Sequence, residues 1–490
     1  MSTDRTRNTR AIARGSVRIL AGAIGVGVAV IALAGAALLP LPSFRVTPPA
    51  QTVTPVPADQ ERVCPGGLLD LGNATDASSL SSIGSPSLVT TATTSVAQRS
   101  LQTPSVHGGG GAPRVISTQA DGSATRPLIA GAQSQKAKES DVAGLAAAAC
   151  GEATSDSWLV AGATTLGSTS LVLLSNPSKV QATVDLTVYT EGGRAEAPGA
   201  RGLVVRAGSQ LVVPLAGVVP NAQASVVHVQ VAGGSVYASL QQSSVQGLAP
   251  QGVELVGPTA QPAQNLVIPG MTVANIARLS AGADGGSNQL PAVRLLAPGT
   301  TAAHVTVTAT SETTPGVGAT SRITVQGGTV REVTFDHLID GAYTVQVTSD
   351  TPVVAAARTV DVGAAPSADE SATAQAEAAT QDFAWFVASA PLPQKAMLAV
   401  PSGSAPTLHV VNGSHTDASV TLTPKHGAAT TVSVPAGKAV AVPLTARSTY
   451  TLDGVSGLRA SVSLTADASS SSFALNPPGP LAPPITVYPK

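Results

Sequence analysis

Seven histidines, two cysteines and two tryptophans are the side chains of this 490-residue chain best suited to chemistry or ligand binding. The histidines are His107, His228, His304, His337, His409, His415 and His426. His409, His415 and His426 fall in one stretch and could in principle converge on a metal. His409 and His415 fit two sides of a hairpin. Spacing alone does not make a metal site, and these three read as solvent-face strand and turn residues. His337 stands between Asp336 and Asp340, a pattern of polar loops with no nucleophile specified beside it. The chain has no G-x-S-x-G elbow, no serine three residues before a lysine, no H-E-x-x-H and no P-loop. No cofactor motif is present, and the chain reads as non-enzymatic.

The tryptophans stand out because aromatics are only 2% of the residues. Trp158 opens a strand-like run, Ser157-Trp158-Leu159-Val160, and Trp385 lies in Asp382-Phe383-Ala384-Trp385-Phe386. Exposed, they would be platforms for stacking on sugar rings. Buried, they plug the first strand of a sandwich core, and this is the favoured reading.

Charged residues are 11% of the chain, and 27 basic side chains balance 28 acidic ones, so no polyanion or nucleic-acid surface is indicated. Basic charge is concentrated at the start. Arg5, Arg7, Arg10, Arg14 and Arg18 precede an uncharged run from Ile19 to Leu39. At ~1.5 Å per residue this run spans roughly 31 Å, the thickness of a bilayer core. Pro40 and Pro42 follow it. The run is longer than the apolar core of a cleavable signal peptide, so an uncleaved single-pass anchor is favoured, although Ala32-Leu33-Ala34 or Ala34-Gly35-Ala36 could serve as a cleavage site. The arginines place the N-terminus in the cytoplasm and the bulk of the chain outside the plasma membrane. In an oxidising compartment Cys64 and Cys150 suggest one disulfide closing a long loop; two free thiols are the alternative.

The elements that must position these residues are strands. Beyond Cys150 the chain repeats itself. A small-Gly turn recurs at Ala207-Gly208, Gly327-Gly328 and Ala436-Gly437, read as a hairpin with aliphatic residues in the same register on both sides. Ahead of it run alternating strands, Val184/Leu186/Val188, Val305/Val307 and Val420/Leu422. After it come Val227/Val229/Val231, Val345/Val347 and Val462/Leu464. Period-two alternation buries one face and wets the other. The expected fold is all-β: tandem Ig-like or fibronectin-like β-sandwich repeats behind one N-terminal transmembrane helix. The expected divisions are a basic tail (1–18), the anchor (19–41), a Pro/Thr stalk (42–63) and a Ser/Thr/Gly-rich segment bracketed by the cysteines (64–150). Three sandwiches follow (151–258, 259–366 and 383–475), with a linker at 367–382 and a Pro-rich tail at 476–490. Within 64–150, Ala137 to Ala149 is expected to form a short helix.

The order of Arg-rich start, apolar run, Pro/Thr stalk, Cys64-Pro65-Gly66-Gly67 and Cys150 ahead of Trp158-Leu159-Val160, with Asn-Pro and Val-x-Val runs downstream, resembles an actinobacterial family of single-pass envelope proteins of unknown function. The resemblance implies an extracytoplasmic location, no known activity and no catalytic residues to carry over. It also implies a scaffold role near the assembly of envelope glycans. The expected partners are therefore the membrane, through the N-terminal helix, and an envelope protein or glycan. The expected function is that of an envelope scaffold or interaction protein. The alternatives are a carbohydrate-binding or glycan-modifying protein using Trp158 or Trp385, and a hydrolase whose polar residues converge in the segment between the cysteines.

Overall fold

The computed structural model describes residues 22–35, 51–53, 58–72, 79–108, 110–122, 126–139, 141–281, 289–363, 381–475, 477 and 485–487. It divides into two units. The first, Met1–Pro55 with Ala482–Lys490, contains a helix over 22–35 and a two-stranded ribbon of Gln51–Val53 with Ile485–Val487. The helix lies within the apolar run, but no described helix is long and apolar enough to cross a membrane. The ends of that run, the basic tail, most of the stalk, most of the 367–382 linker and most of the Pro-rich tail lie outside the described residues.

The second unit, Val56–Leu481, is all-β. It contains four copies of one arrangement, where the sequence suggests three. In residues 156–256 an outer sheet places Asp156–Val160, Ser225–Ala232 and Ala182–Thr190 side by side, and Leu203–Val205 pairs with the last of these. An inner sheet has the order Ser209–Pro214, Ser168–Asn176, Tyr237–Gln246, Ala249–Val256. Residues 395–474 repeat both orders strand for strand. Residues 263–387 repeat them with one variation: the single strand Gly341–Val362 runs through both sheets. Residues 60–149 form a reduced copy. Its outer sheet is Gln60–Cys64, Arg114–Thr118, Ala97–Ser100, and its inner sheet is Ser87–Ala92, Ile129–Lys138, Ala143–Ala149. In chain order these are repeats one to four.

Three expectations are corrected here. Ala137 to Ala149 is not a helix but the turn and second strand of a hairpin, Ala143 pairing with Lys138. Alanine favours helix in isolation, but this strand is buried on both faces, and small side chains are what fit there. The strand Gln381–Val387 does not open the last sandwich. It pairs with Gly341–Val362 and completes the inner sheet of repeat three, so repeat four begins at Lys395–Val400. The Gly208, Gly328 and Gly437 turns are not paired hairpins, because the strands on either side belong to different sheets. All three glycines have φ between +64° and +74°, the left-handed conformation that lets the chain turn the corner.

Burial separates the two kinds of sheet. The outer strand Ala182–Thr190 alternates buried and exposed residues through most of its length. The inner strands Gln381–Val387 and Ser469–Ala474 are buried almost throughout. Each inner sheet has a second covered face, packed against a neighbouring repeat. Leu296, Val354, Ala356 and Trp385 of repeat three share a core with Trp158 and Val160 of repeat two. Ala132, Leu145 and Ala147 of repeat one share a core with repeat four. Leu171, Leu173, Val253 and Leu255 of repeat two pack with Ala146 and Ala148 of repeat one. Repeats three and four meet through Ser461 Oγ, which donates to Pro269 O at 2.8 Å. The four repeats therefore close into a ring.

The strand directions fix its two ends. The first strand of every repeat starts at one end, and the last strand returns to it. Gln60 and Leu475 accordingly lie at the same end, and Arg62, Leu475 and Pro477 line one small cavity there.

Candidate functional site: buried polar groups between the repeats

The last strands of the four repeats, Ala143–Ala149, Ala249–Val256, Gln381–Val387 and Ser469–Ala474, run side by side along the ring axis. Each is the inner edge of its sheet, so its axis-facing N–H groups have no neighbouring strand to bond. Two carboxyl groups accept them instead. Asp382 Oδ1 accepts from Val253 N at 3.2 Å and Phe383 N at 2.9 Å, and Oδ2 accepts from Leu145 N at 2.8 Å and Ser470 N at 3.2 Å. Glu254 Oε1 accepts from Ser471 Oγ at 2.6 Å and Leu255 N at 2.9 Å, and Oε2 from Ser472 N at 3.3 Å. Ala147 N donates to Ser471 Oγ at 2.7 Å. Buried backbone donors are nearly always paired, and here side chains from three repeats, Glu254, Asp382 and Ser471, provide the partners for strands of all four.

Glycine makes room for this. A Cβ on Gly144 or Gly252 would stand 2.5 or 2.7 Å from Asp382 Oδ1, and both residues have positive φ. Burial pushes the Glu254 and Asp382 carboxyls well above the usual carboxylate range. Hydrogen bonds pull both the other way, four backbone amides in the case of Asp382.

A second cluster joins repeats three and four. His409 Nδ1 lies 2.5 Å from Glu312 Oε2, and His409 Nε2 lies 2.9 Å from Ser463 Oγ. Glu312 also accepts from Thr344 Oγ1 at 2.7 Å and Gly270 N at 3.0 Å. Although burial opposes it, the hydrogen bonds and charge of this cluster hold the Glu312 carboxyl below its ordinary value. Hydroxyl, imidazole and carboxylate stand in the order that activates a serine nucleophile. Here, however, His409 and Ser463 are 1% and 2% exposed, so the hydroxyl faces the protein interior. His409 is thus a buried interface residue and not a solvent-face one, while His415 and His426 are exposed. Among the described residues no group of three or more His, Cys, Asp or Glu is placed to hold a metal.

A third cluster joins repeats two and three. Arg294 Nη1 donates to Gly162 O at 2.7 Å and Ser225 O at 3.0 Å, Nη2 lies 2.7 Å from Glu332, and the guanidinium stacks 4.6 Å from the Trp385 ring. Trp385 Nε1 donates to Gln242 Oε1 at 3.0 Å. Trp385 is 2% exposed and Trp158 4%. Neither is a sugar platform. Trp158 stacks on His228, whose Nε2 is 2.7 Å from Asp156.

Cys64 and Cys150 form the disulfide. It sits in a small core with Ile116 and Ile129, between the two sheets of repeat one. The copy with the fewest apolar side chains is the one that carries the staple.

The sequence reading missed Glu254, Asp382, Glu312 and Arg294. Two of them left a signal: Val253-Glu254-Leu255-Val256 and Val293-Arg294-Leu295-Leu296 each place a charge inside an unbroken apolar run, where only a buried partner makes it tolerable.

The architecture defines a class, a closed ring of repeated two-sheet units held together by buried polar clusters. A family model described as a family of unknown function, DUF5719, matches residues 105–445. The chain belongs to that family. A comparison with curated proteins found no match.

Proposed function

We propose that the chain is a non-enzymatic, membrane-anchored extracytoplasmic protein of an actinobacterial envelope. Its Ig-like repeats form a rigid platform for an envelope protein or glycan. The observation that carries this reading is the exit of both ends of the ring at one end. Residues 19–41 supply the membrane tether of this reading, and the other end of the ring, with its turns, supplies the platform. That far end bears Leu166 and Leu248, both fully exposed on adjacent turns of repeat two. The polar clusters support a structural role, since each sits in solvent-excluded space between repeats and fixes their relative position.

Crosslinking and co-purification from intact membranes test this, with a photo-crosslinker at Leu248. The expected result is a chain that stays with membranes through a carbonate wash and yields a discrete envelope partner. Release by carbonate would remove the anchor. No enriched partner, together with unchanged envelope composition in a deletion strain, would remove the scaffold.

A further inference from the structure

Repeats one and two enclose a cleft of about 650 Å³ at the end of the ring where the chain enters. This is within the size range of small-ligand pockets, roughly 300–1,000 Å³. Residues 58–61 and 117–119 form one wall, and 152–153, 177–178 and Ser235 the other. The lining determines what it can hold. Its acids are already engaged within the chain. Glu61 lies 3.4 Å from Arg99, Glu152 lies 3.7 Å from Arg62, and Asp59 Oδ1 accepts from Ala120 N at 2.9 Å. One further cation, Arg126, completes the charged lining. A polyanion would meet three carboxylates, and a polycation would have to displace existing partners. Apolar lining is limited to Val63, Pro177 and a few alanines, too little for a lipid. What remains is neutral and hydrogen-bonding. Among the described residues, the side chains of Ser95, Ser117, Gln119 and Ser235 line the cleft and make no hydrogen bond within the chain.

We infer that this cleft is a binding site for a neutral polyhydroxylated ligand, a short segment of uncharged oligosaccharide. Hydroxyls on both walls and the Gln119 amide on one offer donors and acceptors together, which matches sugar hydroxyls that both give and take hydrogen bonds. The site uses neither tryptophan and does not depend on the anchoring proposed above.

Calorimetric titration of the detergent-solubilised full chain tests this, with maltotriose, mannotriose and triacetylchitotriose as probes and trilysine and inorganic phosphate as the charged arms. The expected result is saturable binding of at least one trisaccharide and of neither charged probe. Ser235→Trp, which fills the cleft from its rim, should weaken that binding at least tenfold. Gln119→Ala should weaken it severalfold, with the thermal midpoint unchanged. Absence of saturable binding by all three sugars overturns the inference. So does sugar binding indifferent to both substitutions, or binding of trilysine alone.

Discussion

Replacing Asp382 with asparagine tests the axis with almost no change in shape. The amide keeps one acceptor oxygen and turns the other into an NH₂ donor. Each Asp382 oxygen accepts two backbone N–H groups, from Val253 and Phe383 on one side and from Leu145 and Ser470 on the other. Whichever way the amide turns, two N–H groups lose their acceptor and face another donor. An orphaned buried donor costs about 1–3 kcal/mol, so two cost about 2–6 kcal/mol. Removing a carboxyl that burial disfavours in its charged form offsets part of this. The expected net loss is the lower half of the range, about 2–4 kcal/mol, a large fraction of a typical total of about 5–15 kcal/mol. Urea unfolding followed by tryptophan fluorescence measures it, since Trp158 and Trp385 are both buried. Stability within about 0.5 kcal/mol of the parent, the range of an ordinary surface substitution, would refute the reasoning. A gain would show that desolvation of the charge outweighs the hydrogen bonds. Gly144→Ala is the independent check. It leaves Asp382 in place but brings a Cβ to 2.5 Å from Oδ1 at φ +134°, and it should also destabilise.

Three other outcomes follow from the same structure. Glu254 and Asp382 have raised folded values, so between the unfolded values of 4.5 and 3.8 and those higher ones the folded state holds the extra protons, and stability falls as pH rises. Glu312 and Glu332 have lowered folded values, so their contribution is present above the unfolded 4.5 and is lost as pH falls through the folded value. The unfolding midpoint should therefore climb from pH 8 toward about pH 5 and drop in stronger acid, with Glu254→Gln flattening the alkaline slope; a midpoint constant from pH 5 to 8 counts against it. Cys64→Ala with Cys150→Ala should cost about 4–5 kcal/mol by loop entropy, with hydrogen exchange rising first in residues 60–149; uniform exchange across the ring would contradict that placement. His409→Leu leaves Glu312 buried without its imidazole and should cost about 3–5 kcal/mol, most of it recovered by adding Glu312→Leu. A double variant no better than the single would show that the pair is not coupled.

What could be read from the sequence was mostly the outer sheets, although Val462 and Leu464, read as the third copy of Val227/Val229/Val231, lie in the inner strand Arg459–Ala466. Val184, Leu186 and Val188 alternate with Thr183, Asp185 and Thr187 because one face of that strand meets water. The glycine corners were visible for a similarly local reason, the need for positive φ at Gly208, Gly328 and Gly437. The inner sheets were obscure because alternation disappears where both faces are covered. Ala143–Ala149 looks helical, and Ser469–Ala474, a strand of four serines, a phenylalanine and an alanine, looks like a loop. Repeat one was hidden because its strands are assembled from such small residues, and Gln381–Val387 was assigned to the wrong repeat because sequence order does not show which neighbour a strand pairs with. The polar clusters lie further still from any sequence signal. His409 and Glu312 are 97 residues apart, and Leu145 and Asp382 are 237 apart.

The closed axis also dictates an order of events during synthesis. Ser469–Ala474 is the last of the four central strands to leave the ribosome, and until it arrives Asp382 lacks the amide of Ser470, Glu254 lacks the hydroxyl of Ser471, and Ala147 N has only its longer contact, 3.5 Å, to Glu254 Oε1. Three finished repeats are thus an open horseshoe in which Asp382 keeps three of its four backbone donors and Glu254 still waits for Ser471 and Ser472. Growth alone cannot complete the molecule from its N-terminus, because its first and last repeats must find each other, a contact between distant segments that makes folding slow. A nascent chain halted before residue 469 would present the raw edges of three inner strands, the surface that a holding chaperone would have to shield.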